Sequence, residues 1–250
     1  MRIVQIVNMG FEYGGAEKSV RLLAEGLTAR GHEVRVIAVD RPAGGRPVFA
    51  DYLVPAIGGG PIGSALGYFW HQPAYRRVRR ILREVEPDLV HFHTIGEFSP
   101  AVLAAARGYP RLLTARVSEH WMLKTLRWNL PNATEGGRLS ALDSVRYLRL
   151  RYVQRPAFRV WLRGLDRALA LSGFMADTIR GDLRGVPVYV VPNGSESGFH
   201  VEPLEDAGHV VFTGRLEKVK GVHVLLEAFR RISADRPDTR LTIIGDGSQR

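Results

Sequence analysis

Three cations, Arg215, Lys218 and Lys220, stand between the strand-forming run that stops at Gly214 and a helical pattern that begins after Gly221. A strand, a short loop and a helix N-terminus form an anion site, because backbone N–H groups without a helical partner and the positive end of the helix dipole point into one crevice. Cations placed there suit a diphosphate. A second group is PDLVHFHT, where His91 and His93 lie two apart on a strand and so on one face, at the carboxyl end where α/β sheets bind ligands. A pair of imidazoles could hold zinc, but a catalytic zinc site needs a third protein ligand and no convincing one is visible. A hydrogen-bonded histidine at a strand end explains the same residues.

A third group is glycine. The first strand feeds Gly10, Gly14 and Gly15 into a helix, which is where a ligand can approach the backbone closely. A P-loop requires Lys-Ser directly after its last glycine, and Ala16 and Glu17 intervene before Lys18-Ser19, so that motif fails. A nicotinamide fold would want GxGxxG, which is absent, although Asp40 ends the second strand where a ribose-binding acid could sit. A tight turn ahead of a capped helix remains the simpler alternative.

The elements that must carry these groups alternate. Arg2 to Val7 is apolar and β-branched, the stripe Ala16, Val20, Leu23, Leu27 has helical spacing and ends at Gly31, and Glu33 to Val39 is a second strand. This βαβ unit predicts an α/β fold with a parallel sheet. A short strand within Val48 to Val54, a basic helix Tyr75 to Val85, strand DLVHFH, a helix capped by Ser99 and Pro100, and strand Arg111 to Ala115 follow. A loop containing Pro131, Asn132 and Gly136-Gly137 leads to a long helical pattern, Leu139 to Leu165, bent at Pro156. Arg167 to Leu171, Met175 to Arg180 and Pro187 to Val191 restore strand, helix and strand. Polar, turn-rich residues 195–208 read as a linker between a domain at 1–194 and a unit at 209–250 that holds strand, loop, helix through Ile232 and strand Leu241 to Ile244 before GDG. Some forty residues bury too little apolar surface to stand alone, so the second domain is expected to be incomplete.

Composition sets outer limits. With 45% apolar and 24% charged residues the chain is a packed globular protein. The absence of cysteine excludes disulfides and thiolate metal sites and points to the cytoplasm. The N-terminal apolar run is interrupted by Gln5, Asn8 and Glu12, which is unlike a signal peptide. The span from Tyr52 to Tyr75 lacks Lys, Arg, Asp and Glu, but Pro55, Pro61, Pro73 and five glycines make it a loop, one able to touch lipid. Net charge is +10, which favours anionic partners without choosing among nucleotides, lipid headgroups and nucleic acid. From Lys124 to Arg167, ten Lys or Arg face only Glu135, Asp143 and Asp166, interleaved with Trp128, Tyr147, Tyr152, Phe158 and Trp161. Such a helix suits an anionic membrane surface on the inner face of the membrane, and equally a solvated helix face. No nucleic-acid reading module accompanies the charge, so nucleic acid is not expected as a partner.

TGRLEKVKG, GGAEKSVRLLAEGL, PDLVHFHT, VPNG at Val191 to Gly194 and LTIIGDG occur together, in the order and approximate spacing of GT-B glycosyltransferases of family 4, which the chain resembles from Arg2 to Gly247. The resemblance implies two Rossmann-like domains with a nucleotide-diphosphate sugar between them, transfer with retention of anomeric configuration, no metal and no cofactor beyond the donor substrate. Cell-envelope glycans or lipid-linked acceptors are the implied partners. It assigns Arg215 and Lys220 to the donor diphosphate as catalytic cations, with Gly14, Gly15, Gly214 and Asp246 on the donor side. His93, the third catalytic candidate, would face the acceptor. Where the family shows a TxH-like sequence the strand here runs LLTAR, so Arg116 and His120 take the acceptor-side places.

One departure concerns the E-x7-E segment, whose glutamates contact sugar and ribose in the family and which lies beyond Arg250. The chain alone is therefore expected to bind and turn over nucleotide sugar poorly, being either truncated or completed by a separate polypeptide that supplies the rest of the second domain. The alternative is a non-catalytic binding or membrane-docking module derived from such an enzyme.

Overall fold

The computed structural model describes residues 1–58, 66–115, 121–124, 126, 130, 139–194 and 208–250. The chain divides into two compact units, Met1–Gly194 and Ser195–Arg250. The expectations for Arg116, His120, Trp128, the loop at 131–138 and nearly all of the 195–208 linker lie outside the described residues.

The first unit is built on a parallel sheet of seven strands in the order β3-β2-β1-β4-β5-β6-β7. These are β1 (Arg2–Met9), β2 (Glu33–Val39), β3 (Tyr52–Val54), β4 (Leu89–Phe92), β5 (Arg111–Ala115), β6 (Arg167–Ala170) and β7 (Val188–Val190). Helix α1 (Gly15–Ala29) crosses from β1 to β2, and α2 (Gln72–Val85), α3 (Ala101–Ala105), α4 (Ala141–Arg149), α5 (Arg155–Leu162) and α6 (Gly173–Ile179) join the later strands. Sheet alternation sorts the layers. Val7, Val36 and Ala38 pack with Val20 of α1 on one face. Val4, Ile6, Val90, Phe92, Leu113 and Ala115 face the other way, into one core with Val78 and Ile81 of α2, Val102 of α3, Phe158 of α5 and Ala176 of α6. A parallel sheet covered on both faces requires the continuous apolar runs that β1 and β2 carry.

Three expectations change in detail. Within 48–54 only Tyr52–Val54 pairs as a strand, while Val48 makes a lone antiparallel bridge to Phe11. Ser99 lies one residue before the helix-capping position, and its hydroxyl oxygen accepts from the N–H groups of His71 and Ala101, tying the start of α2 to that of α3. The single helix expected over 139–165 is divided. A π turn, Leu150–Gln154, separates α4 from α5, and Pro156 sits in the first turn of α5, where its missing N–H is harmless.

The second unit contains β8 (His209–Thr213), β9 (Arg240–Ile244), paired in parallel, and α7 (Val222–Asp235) between them.

Candidate active site

In the second unit the cations are held by a backbone ladder that outlasts the strands. Gly214 N–H donates to Ile244 O at 3.0 Å, Leu216 N–H to Asp246 O at 2.8 Å, and Gln249 N–H to Leu216 O at 2.8 Å. The loops after β8 and β9 therefore run side by side. A Cβ on Gly245 would stand 1.9 Å from Gly214 O, so glycine is demanded there by the other loop. Leu216 is the buried anchor, and Arg215, Lys218 and Lys220 are exposed around it. Lys218–Lys220 form a single tight turn that ends at Gly221, whose φ of +70° admits glycine readily, and α7 starts there without a side-chain cap. An uncapped helix start beside a loop with three cations is suited to hold phosphate oxygens. Asp246 is exposed, with Oδ1 accepting from Gly247 N–H at 2.9 Å, and the Ser248 hydroxyl donates to Glu217 Oε2 at 2.8 Å across the two loops.

In the first unit the three loop glycines separate. A Cβ on Gly10 would meet Ala50 Cβ at 2.7 Å and Ala38 Cβ at 3.2 Å, so Gly10 serves packing. Gly15 has nothing within 4 Å of that position, and Gly14 only Glu17 Oε2 at 3.6 Å, which leaves their backbone open at the start of α1. His91 and His93 are both buried, His93 to 2% exposure, with ring centroids 4.0 Å apart. His91 Nε2 and Thr114 Oγ1 share a hydrogen bond of 2.8 Å.

The sequence reading missed the groups around the ends of β1 and β4. Asn8 Oδ1 accepts from Glu97 N–H at 3.0 Å, and Arg41 Nη2 donates to Glu97 Oε2 at 2.6 Å. Burial first, then the Glu97 charge, raises the Tyr68 phenol above its ordinary value, while Arg41 and Arg149 pull it down. Tyr68 thus stays protonated at neutral pH and can donate a hydrogen bond. A strand-end position for Asn8 was the one available signal; Glu97 is 89 residues away. Among the described residues, no group of three His, Cys, Asp or Glu side chains could hold a metal ion.

The model of Glycosyltransferase Family 4 matches residues 13–196, and that of glycosyl transferases group 1 matches residues 184–250. The chain belongs to glycosyltransferase family 4. Its seven-stranded parallel sheet is that of the GT-B fold expected from the motifs. Among relatives of this family 4 chain, the phosphatidyl-myo-inositol mannosyltransferase of Mycolicibacterium smegmatis is 28% identical over 263 residues, covering 100% of this chain and 60% of that protein. The corresponding protein of Mycobacterium leprae is 27% identical over 260 residues, with 100% and 62% covered. A glycogen synthase of Mycobacterium tuberculosis is 31% identical over 175 residues, 67% of this chain and 37% of that protein. The chain thus spans about three fifths of the mannosyltransferases it matches. Among solved structures, that of TarM aligns with a TM-score of 0.62 at 7% identity, covering 100% of this chain and 72% of that one. The UDP-GlcNAc 2-epimerase of Methanocaldococcus jannaschii aligns at 0.53 and 10% identity, covering 97% and 65%. Identities this low speak to fold alone.

Proposed function

We propose that this family 4 glycosyltransferase moves a sugar from a nucleotide-diphosphate donor to a glycan or lipid-linked acceptor with retention of configuration. The observation that carries the reading is the exposed Arg215, Lys218 and Lys220 on a loop between the end of β8 and the uncapped start of α7. When the bond to the anomeric carbon breaks, negative charge grows on the departing diphosphate. Cations already in place stabilise that charge more than they stabilise the bound donor, which is what speeds the step. Arg215 can offer two parallel N–H donors to phosphate oxygens, and Lys220 a compact charge. Gly14 and Gly15 offer open backbone for a donor phosphate, and Asp246 is a polar group on the loop next to the cations. His93 is assigned to the acceptor side. The relatives named for phosphatidyl-myo-inositol favour a lipid acceptor over a soluble glycan.

Replacing Arg215 or Lys220 by Ala should lower sugar transfer on the order of 100-fold, while both exposed sites should change unfolding free energy by no more than about 0.5 kcal/mol. Steady-state turnover with UDP- and GDP-linked hexoses, alongside urea unfolding, checks both halves. Unchanged turnover in both variants would remove the assignment.

A lipid acceptor would bring the protein to a bilayer, and α4, the π turn and α5 have a suitable surface. Leu142, Val145, Leu148, Tyr152 and Val160 are exposed on this helical run, beside exposed Arg149 and Arg163. Apolar and basic groups on one helix bind an anionic interface by partial burial and charge together. Among the described residues no helix is long and apolar enough to cross a membrane, so the proposed contact is peripheral. Sedimentation with phosphatidylglycerol vesicles should exceed that with phosphatidylcholine vesicles and fall with salt. Equal sedimentation would end the membrane reading.

A further inference from the structure

A row of polar side chains crosses the sheet of the first unit toward His93. Gln5, His91 and Thr114 alternate with Val4, Ile6, Val90, Phe92, Leu113 and Ala115, and so point to the α1 side of β1, β4 and β5. Gln5 stands opposite His91 in the register of the two strands. The His91 ring is anchored at Nε2 by the Thr114 hydroxyl and lies against the His93 ring, with 38° between the planes. Gln5, His91, His93 and Thr114 are all buried. As packing this row is poor. Neither polar atom of the Gln5 amide has a hydrogen-bond partner among the described residues, and each such buried group costs about 1–3 kcal/mol. Ile3 and Val7 occupy the same face of β1, so apolar side chains fit there. A polar row set where apolar residues would be more stable is characteristic of a functional site.

We infer that Thr114 and His91 are positioning residues that hold the His93 imidazole in one orientation at the carboxyl end of β4. The inference rests on the reading of His93 as an acceptor-side group. Rotation of an imidazole about its terminal bond is broad and roughly two-fold when nothing restrains it. The Thr114 hydroxyl restrains His91, and the His91 ring forms one wall beside His93. A group that must meet an acceptor hydroxyl works best when its direction is settled before the acceptor arrives. Thr114 touches neither sugar nor phosphate in this account. Its effect reaches the acceptor through two rings.

The test uses the full chain labelled in its histidine rings and followed by NMR. The wild type should show one sharp His93 ring signal. Thr114→Val, which keeps the shape and removes the hydroxyl, should shift and broaden it, and Thr114→Ala should do the same should Val prove unable to fold. Thr114→Ser restores the hydroxyl and should restore the signal, which a purely structural effect of volume would not do. In sugar transfer, Thr114→Val should lower kcat on the order of tenfold with little change in donor KM. It should add nothing in a His93→Ala background, since the two residues act as one unit. His93 signals unchanged in folded Thr114→Val and Thr114→Ala would overturn the inference itself. Normal transfer by His93→Ala would instead overturn the acceptor-side reading on which it rests.

Discussion

β1, α1 and β2 in the first unit and β8, α7 and β9 in the second are the same motif, two parallel strands joined by a helix, written in similar residues. Their surroundings differ. Ile3 to Val7 is buried without a break, and residues from both sheet faces enter cores. In β8, by contrast, no residue is buried, and Val211 is 56% exposed. Helix α7 buries only Val222, leaving Val224 and Leu226 exposed. Apolar β-branched residues decide that a segment forms a strand, but its burial depends on what other elements lie above and below it. The same contrast runs through the two candidate sites. His93 is held by side chains inside a covered sheet, whereas Arg215 and Lys220 ride on a loop held by three backbone hydrogen bonds.

Phe92, fully buried in β4, should on replacement by Ala cost about 3–5 kcal/mol, because the cavity beneath α2 and α3 cannot close. Urea unfolding followed at β4 amides measures this, and a loss below about 1 kcal/mol would mean the first core is looser than its burial indicates. Val211→Ala in β8 should change stability by no more than about 0.5 kcal/mol, read from amide exchange in β8 and β9. A loss several times larger would show that β8 is covered in solution, and the two motifs would then differ less than their exposure shows.

Much of this was legible beforehand. Short-range signals located β1, α1 and β2, since alternation, helical spacing and Gly31 are local properties of the chain. The cationic loop was legible for the same reason: strand, loop and helix start are contiguous from His209 to Asp235. Other features were hidden by distance. Gly10 looked like a ligand-facing glycine, yet Ala38 and Ala50 fill the space beside it, and their approach depends on how β2 and the following chain return to β1. Thr114 is the Thr of the TxH-like stretch LLTAR, yet its contact with His91, on the neighbouring strand and 23 residues away, is invisible in that stretch. Ser99 looked like a helix cap, but its oxygen also accepts from His71, a partner that only the juxtaposition of α2 and α3 provides.

By itself, then, the sequence determined the α/β class, the placing of three cations ahead of a helix and the membership of family 4, because each is a matter of residue type at short, regular spacing. Tertiary structure alone decided that His93 is buried against a ring pinned by Thr114 and that Gly245 is a glycine because another loop runs beside it. Burial and side-chain partnership are properties of neighbours in space. Those neighbours come from strands and helices far apart along the chain, which no local pattern encodes.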